Sequence, residues 1–390
     1  MGTDADLIVL GGGCAGLSLA ERLAESPERR HRTLVIEARS AYVTDRTWCF
    51  WRTAPHRHDA VIEKTWTRLQ LRSAGRSVLV DCSAAPYQML ESGAFYERAE
   101  SLIHRSASVD LQLGTRIIAE PERCGDRWLV QTSRGTVSGR RIVDTRPAAV
   151  PREGEAALWQ SFLGHEVVCD GNHFDDSVAT LMDFGGCLDD GVLFHYVLPI
   201  TRNRALIETT VFGPRPLSAA RLARHQEAAV DKFCRGVPRT IMRVEHGILP
   251  MGLKTVPPSP GEGYVRAGVM NGGARPSTGY AFQRIQRWAH DSANDVRSGR
   301  TVSGHAADPL IRREMDLLFL RVVRNHPERA AGLFLNIFGM KDPVRIIRFL
   351  TDTGSLADCA AVIAALPTGQ FLREIWSGMW APSQNRLELV

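Results

Sequence analysis

The sequence predicts an α/β fold, and three observations support this prediction. A glycine-rich turn near the N-terminus joins a strand-like segment to a helical one. Residues 66–81 and much of 159–213 alternate apolar and polar side chains, as antiparallel strands do. From Asp308 onward the apolar residues recur at helical spacing. We therefore predict a Rossmann-like domain with antiparallel β insertions, a β-rich second domain and a helical C-terminal region.

The N-terminal turn carries a dinucleotide-binding motif. Gly11, Gly13 and Gly16 follow the strand-like "DLIVL" in G-x-G-x-x-G spacing and precede the periodic "LSLAERLAE". The first glycine permits a tight turn, the second lets a pyrophosphate approach the backbone, and the third lets helix and strand pack closely. The helix N-terminus would bind the phosphates. Glu37 ends the next strand, about twenty residues after the last glycine, where a carboxylate can bind the ribose hydroxyls.

The segments after this motif favour FAD over NAD as the dinucleotide. A classical NAD-binding unit continues with strand–helix repeats, whereas residues 66–81 indicate an antiparallel hairpin. An interrupted Rossmann core of this kind is typical of FAD-dependent hydroxylase-like enzymes. The chain returns to the core at 264–291 as a strand, a glycine loop and a helix. Ser277 and Thr278 are candidate caps of that helix, and Gly279 allows close backbone approach to the cofactor.

These segments divide the chain into three predicted regions. The FAD-binding domain comprises residues 1–150 and 245–305, the β-rich substrate domain 151–244, and the helical C-terminal region 306–390. Within the last region Asp342 precedes Pro343, so we expect Asp342 to cap a helix that contains "VRIIRFL".

The composition narrows the possible functions. The eight cysteines form no C-x-x-C pair, and no His or Cys cluster has the spacing of a metal site. We therefore expect no bound metal and a reducing compartment. A formal charge of +5 over 390 residues, without a basic run, does not indicate a nucleic-acid partner. The sequence shows neither a signal peptide nor an apolar run of about 18 residues, so we expect a cytoplasmic protein without a membrane span.

Several segments outside the glycine motif match one family in that family's order. The most specific are "DRTWCFW" at 45–51 and "RPSTGYAF" at 275–282. The others are "IVDTRP", "TLMDF" followed by "YVLP", "ALIETTVF", "ILPMG", and, near the end, "IIRFL" with "ALP" and "FL". On these segments the chain resembles the bacterial lycopene β-cyclases from Asp6 to about Leu372.

The resemblance implies a reaction without net redox change. An end of the polyene lycopene is protonated, the chain cyclises through a carbocation, and a proton is lost to give a β-ring. The resemblance also implies that FAD must be reduced, with NAD(P)H as the electron source. Through the matching motifs and the return segment it implies further cofactor contacts beside Ser277, Thr278 and Gly279, and these are Arg46, Asp144, Gly268, Pro276 and Tyr280.

Glu208 of "ALIETT" is the best candidate for the acid that protonates the alkene. Strand alternation places Leu206, Glu208 and Thr210 on one face of an apolar strand. Burial would disfavour the charged carboxylate and keep a proton on Glu208 near neutral pH. The alternative is an ion pair between Glu208 and a nearby arginine, such as Arg202 or Arg204.

A second acid is less clearly indicated. Relatives often carry an acid directly after this glutamate, and here the position is Thr209. If the chemistry needs a second acid, Asp183 of "TLMDF" is the next candidate.

The dense aromatic residues at 48–51 suit a site in which a carbocation forms. Such a cation can be stabilised by π faces, at about 0.5–2 kcal/mol for each desolvated contact, and by the negative charge of a reduced flavin. We predict that Trp48, Phe50 and Trp51 line the substrate site, and the family motif "YVLP" adds Tyr196. Core packing is the alternative role for these rings. Because neighbours in an extended strand face opposite sides, at least one of Phe50 and Trp51 is structural.

Two other functions are compatible with the sequence. The first is a redox flavoprotein, either a monooxygenase or a reductase, that acts on a prenyl or terpenoid chain. One observation argues against a hydroxylase: the return segment "RAGVMNGGARP" lacks the Gly-Asp pair that usually holds the ribityl chain. The second is a flavin-bearing protein that binds a polyene without changing it.

The implied substrate suggests a peripheral contact with a membrane. Lycopene-like molecules reside in the bilayer, so a protein without a spanning segment must take them from the membrane surface. The helices after Asp308 are the predicted contact, including "VRIIRFL" with Arg345 and Arg348 near the lipid headgroups and its apolar face either inserting or packing inward.

Overall fold

The fold is known from a computed structural model that describes residues 3–25, 31–147, 154–185, 188, 191–256, 258–367, 369 and 371. The strands are β1 (Thr3–Leu10), β2 (Thr33–Ile36), β3 (Thr47–Trp51), β4 (Lys64–Trp66), β5 (Arg68–Ser73), β6 (Arg76–Asp81), β7 (Tyr87–Glu91), β8 (Val109–Gln112), β9 (Glu122–Cys124), β10 (Arg127–Thr132), β11 (Gly135–Asp144), β12 (Ala156–Cys169), β13 (Val178–Phe184), β14 (Val192–Pro199), β15 (Arg204–Gly213), β16 (Arg239–Leu253) and β17 (Tyr264–Arg266). The α-helices are α1 (Cys14–Ala24), α2 (Ser92–His104), α3 (Ala219–Cys234), α4 (Phe282–Arg297), α5 (Leu310–Asn325), α6 (Ala330–Phe338), α7 (Pro343–Leu350) and α8 (Leu356–Ala365).

The first sheet has the order β8-β2-β1-β11-β10-β9, with β17 also paired to β11. Its central strands are parallel, and β9 and β10 add an antiparallel edge. Helix α1 connects the parallel strands β1 and β2 and packs against α2 and α4. This arrangement confirms the predicted Rossmann-like α/β fold, since parallel strands joined through a crossover helix define it.

The second sheet has the order β16-β12-β15-β14-β13-β5-β6 and is antiparallel except where β13 meets β5. The predicted hairpin at 66–81 exists as β5 and β6, but it extends this second sheet rather than the first. Strand β16 crosses the predicted domain boundary at residue 245 without interruption. Helix α3 covers one face of the sheet. The other face carries the largest apolar core, which it shares with the helices from α5 to α8.

A separate three-stranded sheet has the order β3-β7-β4. Strand β3 contributes to both adjoining cores because its side chains alternate. Phe50 belongs to the core around α1, α2 and α4, whereas Trp51 belongs to the core of the second sheet. The predicted opposition of these two neighbouring rings is therefore confirmed.

The C-terminal region is helical over its described residues, as predicted. Asp342 caps α7, since its side chain accepts a hydrogen bond of 3.1 Å from the backbone N–H of Val344. Ile346, Ile347 and Phe349 are buried in the second core. The apolar face of α7 therefore packs inward. Among the described ranges, no helix is long and apolar enough to cross a bilayer.

Candidate active site

The glycine turn has the geometry that a bound pyrophosphate requires. Gly11 has a φ of +92°, which disfavours any side chain. A Cβ on Gly16 would lie 2.0 Å from the carbonyl oxygen of Gly11, so helix and strand can pack only around a glycine there. Among the described residues, a Cβ on Gly13 would meet nothing within 4 Å, and no side chain caps the α1 N-terminus that begins beside it. Space and free backbone N–H groups are thus available for a phosphate.

Glu37 lies directly beside this turn. Its Oε2 accepts a hydrogen bond of 2.7 Å from the N–H of Gly12. Its Oε1 accepts bonds of 2.8 and 3.1 Å from the backbone and Nε of Arg39. The Arg39 guanidinium also donates to the carbonyl of Gly12 and lies 4.8 Å from the ring centre of Tyr42. Glu37 therefore stands where the motif predicts a ribose-binding carboxylate, held by an arginine that sequence reasoning missed.

The loop before α4 offers a second cradle. Gly268 has a φ of +97° and its N–H donates a hydrogen bond of 3.0 Å to Nε2 of His305. Gly279 has a φ of +71°, and a Cβ there would lie 3.1 Å from Oε1 of Gln160. That Gln160 oxygen is buried and accepts no hydrogen bond from the residues that the structure describes. A buried acceptor without a partner beside a glycine fits a site completed by a ligand.

Ser277 and Thr278 do not cap α4 as predicted. The cap position of α4 is Ala281, and no side chain bonds to it. Ser277 instead donates a hydrogen bond of 2.8 Å to the buried carboxylate of Asp316. Thr278 accepts a bond of 3.2 Å from the N–H of Tyr280 and so shapes the loop. The prediction was wrong because Asp316, which comes from the distant helix α5, captures the serine hydroxyl.

The remaining predicted cofactor contacts lie in three different places. Asp144 ends β11 and accepts hydrogen bonds from Arg146 and from the hydroxyl of Tyr264, at 2.9 and 2.6 Å. Arg46 is exposed and donates to the carbonyl of His246, at 2.7 Å. Pro276 is half-buried within the loop.

Glu208 stands in a row of residues that crosses four strands of the second sheet. In register, Tyr196 of β14 faces Glu208 of β15, Glu208 faces Gly164 of β12, and Gly164 faces Glu245 of β16. A Cβ on Gly164 would lie 3.5 Å from Cβ of Glu208 and 3.2 Å from Cγ of Glu245. The two glutamates therefore flank one glycine on the same face of the sheet.

Glu208 is a carboxyl group suited to carry a proton. Burial and, secondarily, the nearby charge of Glu245 raise the pKa of Glu208 to about 8, while the hydrogen bond of 2.7 Å from Thr210 opposes the shift. The alternative ion pair is not formed: Arg204 binds Glu166, Glu63 and Glu91 instead. Glu208 keeps an intermediate solvent exposure.

Asp183, the second predicted acid, is not brought to Glu208. It lies on the α3 side of the sheet, where its carboxylate accepts a hydrogen bond of 3.0 Å from Lys232. Its register partner His195 contacts Thr209, whose side chain points away from the Glu208 face. The sheet itself therefore separates Asp183 from Glu208.

A connected group of aromatic and polar side chains adjoins Glu208. Trp51 lies 5.2 Å from Tyr280 and 5.0 Å from Tyr87, measured between ring centres. Burial and the charge of Glu208 raise the pKa of Tyr196, and burial with the charges of both glutamates raises the pKa of Cys49. Cys49, Tyr196 and Tyr280 keep some exposed surface although they lie deep in the protein.

Trp48 and Phe50 are placed elsewhere. Phe50 stacks on Phe282 at 4.8 Å, and Trp48 packs against Phe282 and Phe95 at 5.4 and 5.3 Å. Strand alternation turns both rings away from Cys49 and Trp51, and hence away from Glu208. Of the predicted substrate contacts, Tyr196 pairs with Glu208 in the sheet, and Trp51 contacts Tyr280 rather than Glu208 itself.

A cleft adjoins this aromatic group. It is lined by residues 49–51, 280–284 and 350–352, together with Arg287. It therefore lies where β3 and the start of α4 meet the end of α7.

Sequence reasoning missed several residues of the site, and local signals existed for some of them. Arg39 follows Glu37 by two positions, and Cys49 lies within the aromatic motif. Glu245 precedes "ILPMG" in a strand with no local feature that links it to Glu208. Tyr87 and His305 lie outside every motif.

The sheets, the glycine turn and the loop before α4 define a Rossmann-type flavoprotein fold. A geranylgeranyl bacteriochlorophyll reductase-like protein of Thermoplasma acidophilum is similar, with a TM-score of 0.65, 13% identity, and coverage of 97% of this chain and 100% of that one. The p-nitrophenol 4-monooxygenase of Pseudomonas putida gives a TM-score of 0.58 at 14% identity, covering 95% and 99%. A halogenase solved in complex with FAD gives 0.57 at 12% identity, covering 97% and 92%.

The sequence itself narrows this class to one family. The model of the family described as "Lycopene cyclase protein" matches residues 6–374. The chain belongs to the lycopene cyclase family, which confirms the resemblance seen in its motifs. No curated protein matches the sequence.

Proposed function

We propose that this protein is a lycopene β-cyclase, which closes linear ends of lycopene into β-rings without net redox change. The observation that carries the proposal is Glu208, a carboxyl group whose pKa is raised to about 8 and which has no cationic partner among the described residues. A carboxyl group that keeps its proton at neutral pH in water-poor surroundings can protonate an alkene.

The proposed reaction balances without an oxidant or reductant. Glu208 gives its proton to a terminal double bond, and the resulting cation is attacked by a second double bond to form the ring. A proton then leaves a ring carbon, so substrate and product are isomers. Tyr196 pairs with Glu208 in the sheet, and Tyr280 and Trp51 contact each other in the same aromatic group. A desolvated ring of this group that meets the cation would stabilise it by about 0.5–2 kcal/mol.

We propose FAD as the cofactor, in its reduced form, with NAD(P)H as the electron source. Gly13 and the N-terminus of α1 would hold the pyrophosphate, Glu37 the ribose, and the loop from Gly268 to Tyr280 the flavin end. The open space at Gly13 and the unpartnered oxygen of Gln160 support this fit. When bound, reduced FAD would supply negative charge beside the cationic substrate.

Expression in lycopene-accumulating cells tests the proposed reaction. The parental chain should convert lycopene to γ- or β-carotene, which share its mass but differ from it in absorbance and ring number. Glu208→Gln keeps size and hydrogen bonding but removes the acid, so it should bind flavin normally and leave lycopene unchanged. Unchanged lycopene with the parental chain would overturn the proposal, and cyclisation by the variant at the parental rate would overturn the role of Glu208.

A second assay separates the cyclase from the redox alternative. Under anaerobic conditions with limiting NADPH, a cyclase should convert many substrate molecules for each reductant consumed, because no hydride remains in the product. A monooxygenase would stop for lack of oxygen, and a reductase would consume one reductant for each product molecule.

We also propose that the protein takes its substrate from a membrane surface as a peripheral protein of the cytoplasm. Helix α7 is unsuited to insertion because its apolar face is buried. Helix α8 is better suited: Leu356 and Ile363 are 74% and 48% exposed, and its single charged residue, Asp358, is buried. An exposed apolar helix face can enter the headgroup region of a bilayer.

A further inference from the structure

We propose that Glu245 is a positioning residue that keeps Glu208 protonated and thereby sets the pH range of the reaction. The inference rests on the proposed function, because it assigns a role beside the proposed acid. It concerns a residue on β16, a strand that carries no part of the "ALIETT" motif.

Sheet register makes the two glutamates neighbours. Glu208 and Glu245 belong to strands that both pair with β12, and both face Gly164 in that strand. Any side chain at Gly164 would enter the space between them, since its Cβ would already lie 3.2 Å from Cγ of Glu245. The glycine therefore allows the two carboxyl groups to interact across a single backbone position.

The surroundings of the two carboxyl groups are unequal. Glu245 accepts a hydrogen bond from the Arg243 guanidinium and another, at 2.9 Å, from the hydroxyl of Thr47. Glu208 accepts a bond only from Thr210 among the described residues. Burial raises the pKa of Glu245 as well, but Arg243 and Thr47 oppose that rise, whereas only Thr210 opposes it at Glu208. We therefore assign the negative charge of the pair to Glu245 and the proton to Glu208.

The other titratable groups around Glu208 stay neutral in the working range. Burial raises the pKa values of Cys49, Tyr87, Tyr196 and Tyr280 above their ordinary values. The nearby cations, Arg243 and Arg46, act on Glu245. Burial is therefore the main cause that raises the pKa of Glu208, and Glu245 supplies the charge that raises it further.

This arrangement also explains how the acid is restored after each turnover. Once Glu208 has given its proton to the alkene, two carboxylates flank Gly164 on one face of the sheet. Their mutual repulsion strongly favours recapture of one proton. The proton that leaves the new ring supplies it, so the starting state returns without a proton from solvent.

The test combines Glu245→Gln with a matched control, Glu166→Gln. Glutamine keeps a carbonyl oxygen for Arg243 and Thr47, so the fold should persist. Glu166 binds the same arginine, at 3.0 Å, but is not among the charges that act on Glu208. Glu166→Gln therefore reports the effect of disturbing the ion pairs alone.

Two readouts are needed. The first is the infrared band of the protonated Glu208 carboxyl, assigned by its loss in Glu208→Gln and followed from pH 5 to pH 10 in the purified holoenzyme. The second is the pH profile of lycopene cyclisation.

In Glu245→Gln the midpoint of the band and the basic limb of the profile should both fall by about one pH unit or more, whereas Glu166→Gln should shift neither. Glu245→Asp, which keeps the charge but withdraws it by one methylene, should give a smaller shift.

Unchanged midpoints in Glu245→Gln would overturn this inference. The inference would also be overturned if Glu245→Gln were inactive at every pH while the midpoint of the Glu208 infrared band stayed unshifted. Glu245 would then be a direct proton acceptor. The infrared titration does not require turnover. If the band shifts although no chain cyclises lycopene, the pairing stands and the proposed function fails.

Discussion

The guanidinium of Arg275 donates two hydrogen bonds of 3.0 Å to the carboxylate of Asp316, and both side chains are almost completely buried. Asp316 also accepts the bond from Ser277. The guanidinium carbon of Arg275 also lies 4.2 Å from the ring centre of Phe349, which belongs to α7. The motif "RPSTGYAF" thus ties the loop before α4 to the C-terminal helices.

We expect Asp316→Asn to lower the free energy of unfolding by about 3 kcal/mol or more, because it leaves a buried guanidinium without its main counter-charge. Asp110→Asn is the control: the Arg32–Asp110 pair is 54% and 58% exposed, and exposed pairs contribute about 0–1 kcal/mol. Urea denaturation of both variants measures the difference. Equal losses would mean that the buried pair does not hold the C-terminal helices in place.

Gly13→Val should fold but fail to retain FAD. The added side chain points into open space, so it meets no protein atom within 4 Å of its Cβ, yet it fills the room left for the pyrophosphate. Flavin absorbance per protein and the thermal melting curve measure the two effects separately. Gly332→Val, on the exposed side of α6, also meets nothing within 4 Å and should keep its flavin. A flavin-loaded Gly13→Val protein would contradict the assignment of the phosphate site.

Glu208 should make the protein less stable as the pH rises. Its pKa is about 8 in the folded protein against 4.5 for an ordinary glutamate, so between these values the folded state binds more protons than the unfolded state. Linkage then requires that this contribution to stability is complete below about pH 4.5 and is lost as the pH rises through about 8. Glu208→Gln does not titrate. Its free energy of unfolding relative to the parent should therefore increase from pH 5 to pH 8.

Denaturation at pH 5.5 and pH 8.5 tests this. The advantage of Glu208→Gln in the free energy of unfolding, and hence in Tm, should be larger at the higher pH. Asp110→Asn, which removes an exposed carboxylate, should show nearly the same difference from the parent at both values. A pH-independent difference for Glu208→Gln would mean that Glu208 is ionised throughout.

The features that could be predicted from sequence are those encoded by neighbouring residues. The glycine turn with Glu37, the Asp342 cap and the face shared by Glu208 and Thr210 all follow from short-range spacing. The neighbour of Glu208 could not be predicted, because it depends on how β16 and β15 register against β12. That register includes an irregularity between Glu166 and Val167. The role of Ser277 likewise depends on a residue distant in sequence, because its hydroxyl donates a hydrogen bond to Asp316 of another helix.

The last prediction concerns the surface that meets the membrane. We expect the holoprotein to cosediment with phospholipid vesicles through α8. The double variant Leu356→Gln/Ile363→Gln should bind the vesicles several-fold more weakly, because both parental side chains are exposed and apolar. Ile118→Gln is the control, since Ile118 is 64% exposed but lies in the loop between β8 and β9.

Arg345→Gln addresses the predicted role of α7, whose arginines bind Asp342 and Asp358 within the protein. It should alter vesicle binding little, apart from a modest loss with anionic lipid that salt removes. Unchanged binding by the α8 double variant together with a large loss in Arg345→Gln would return the membrane contact to α7.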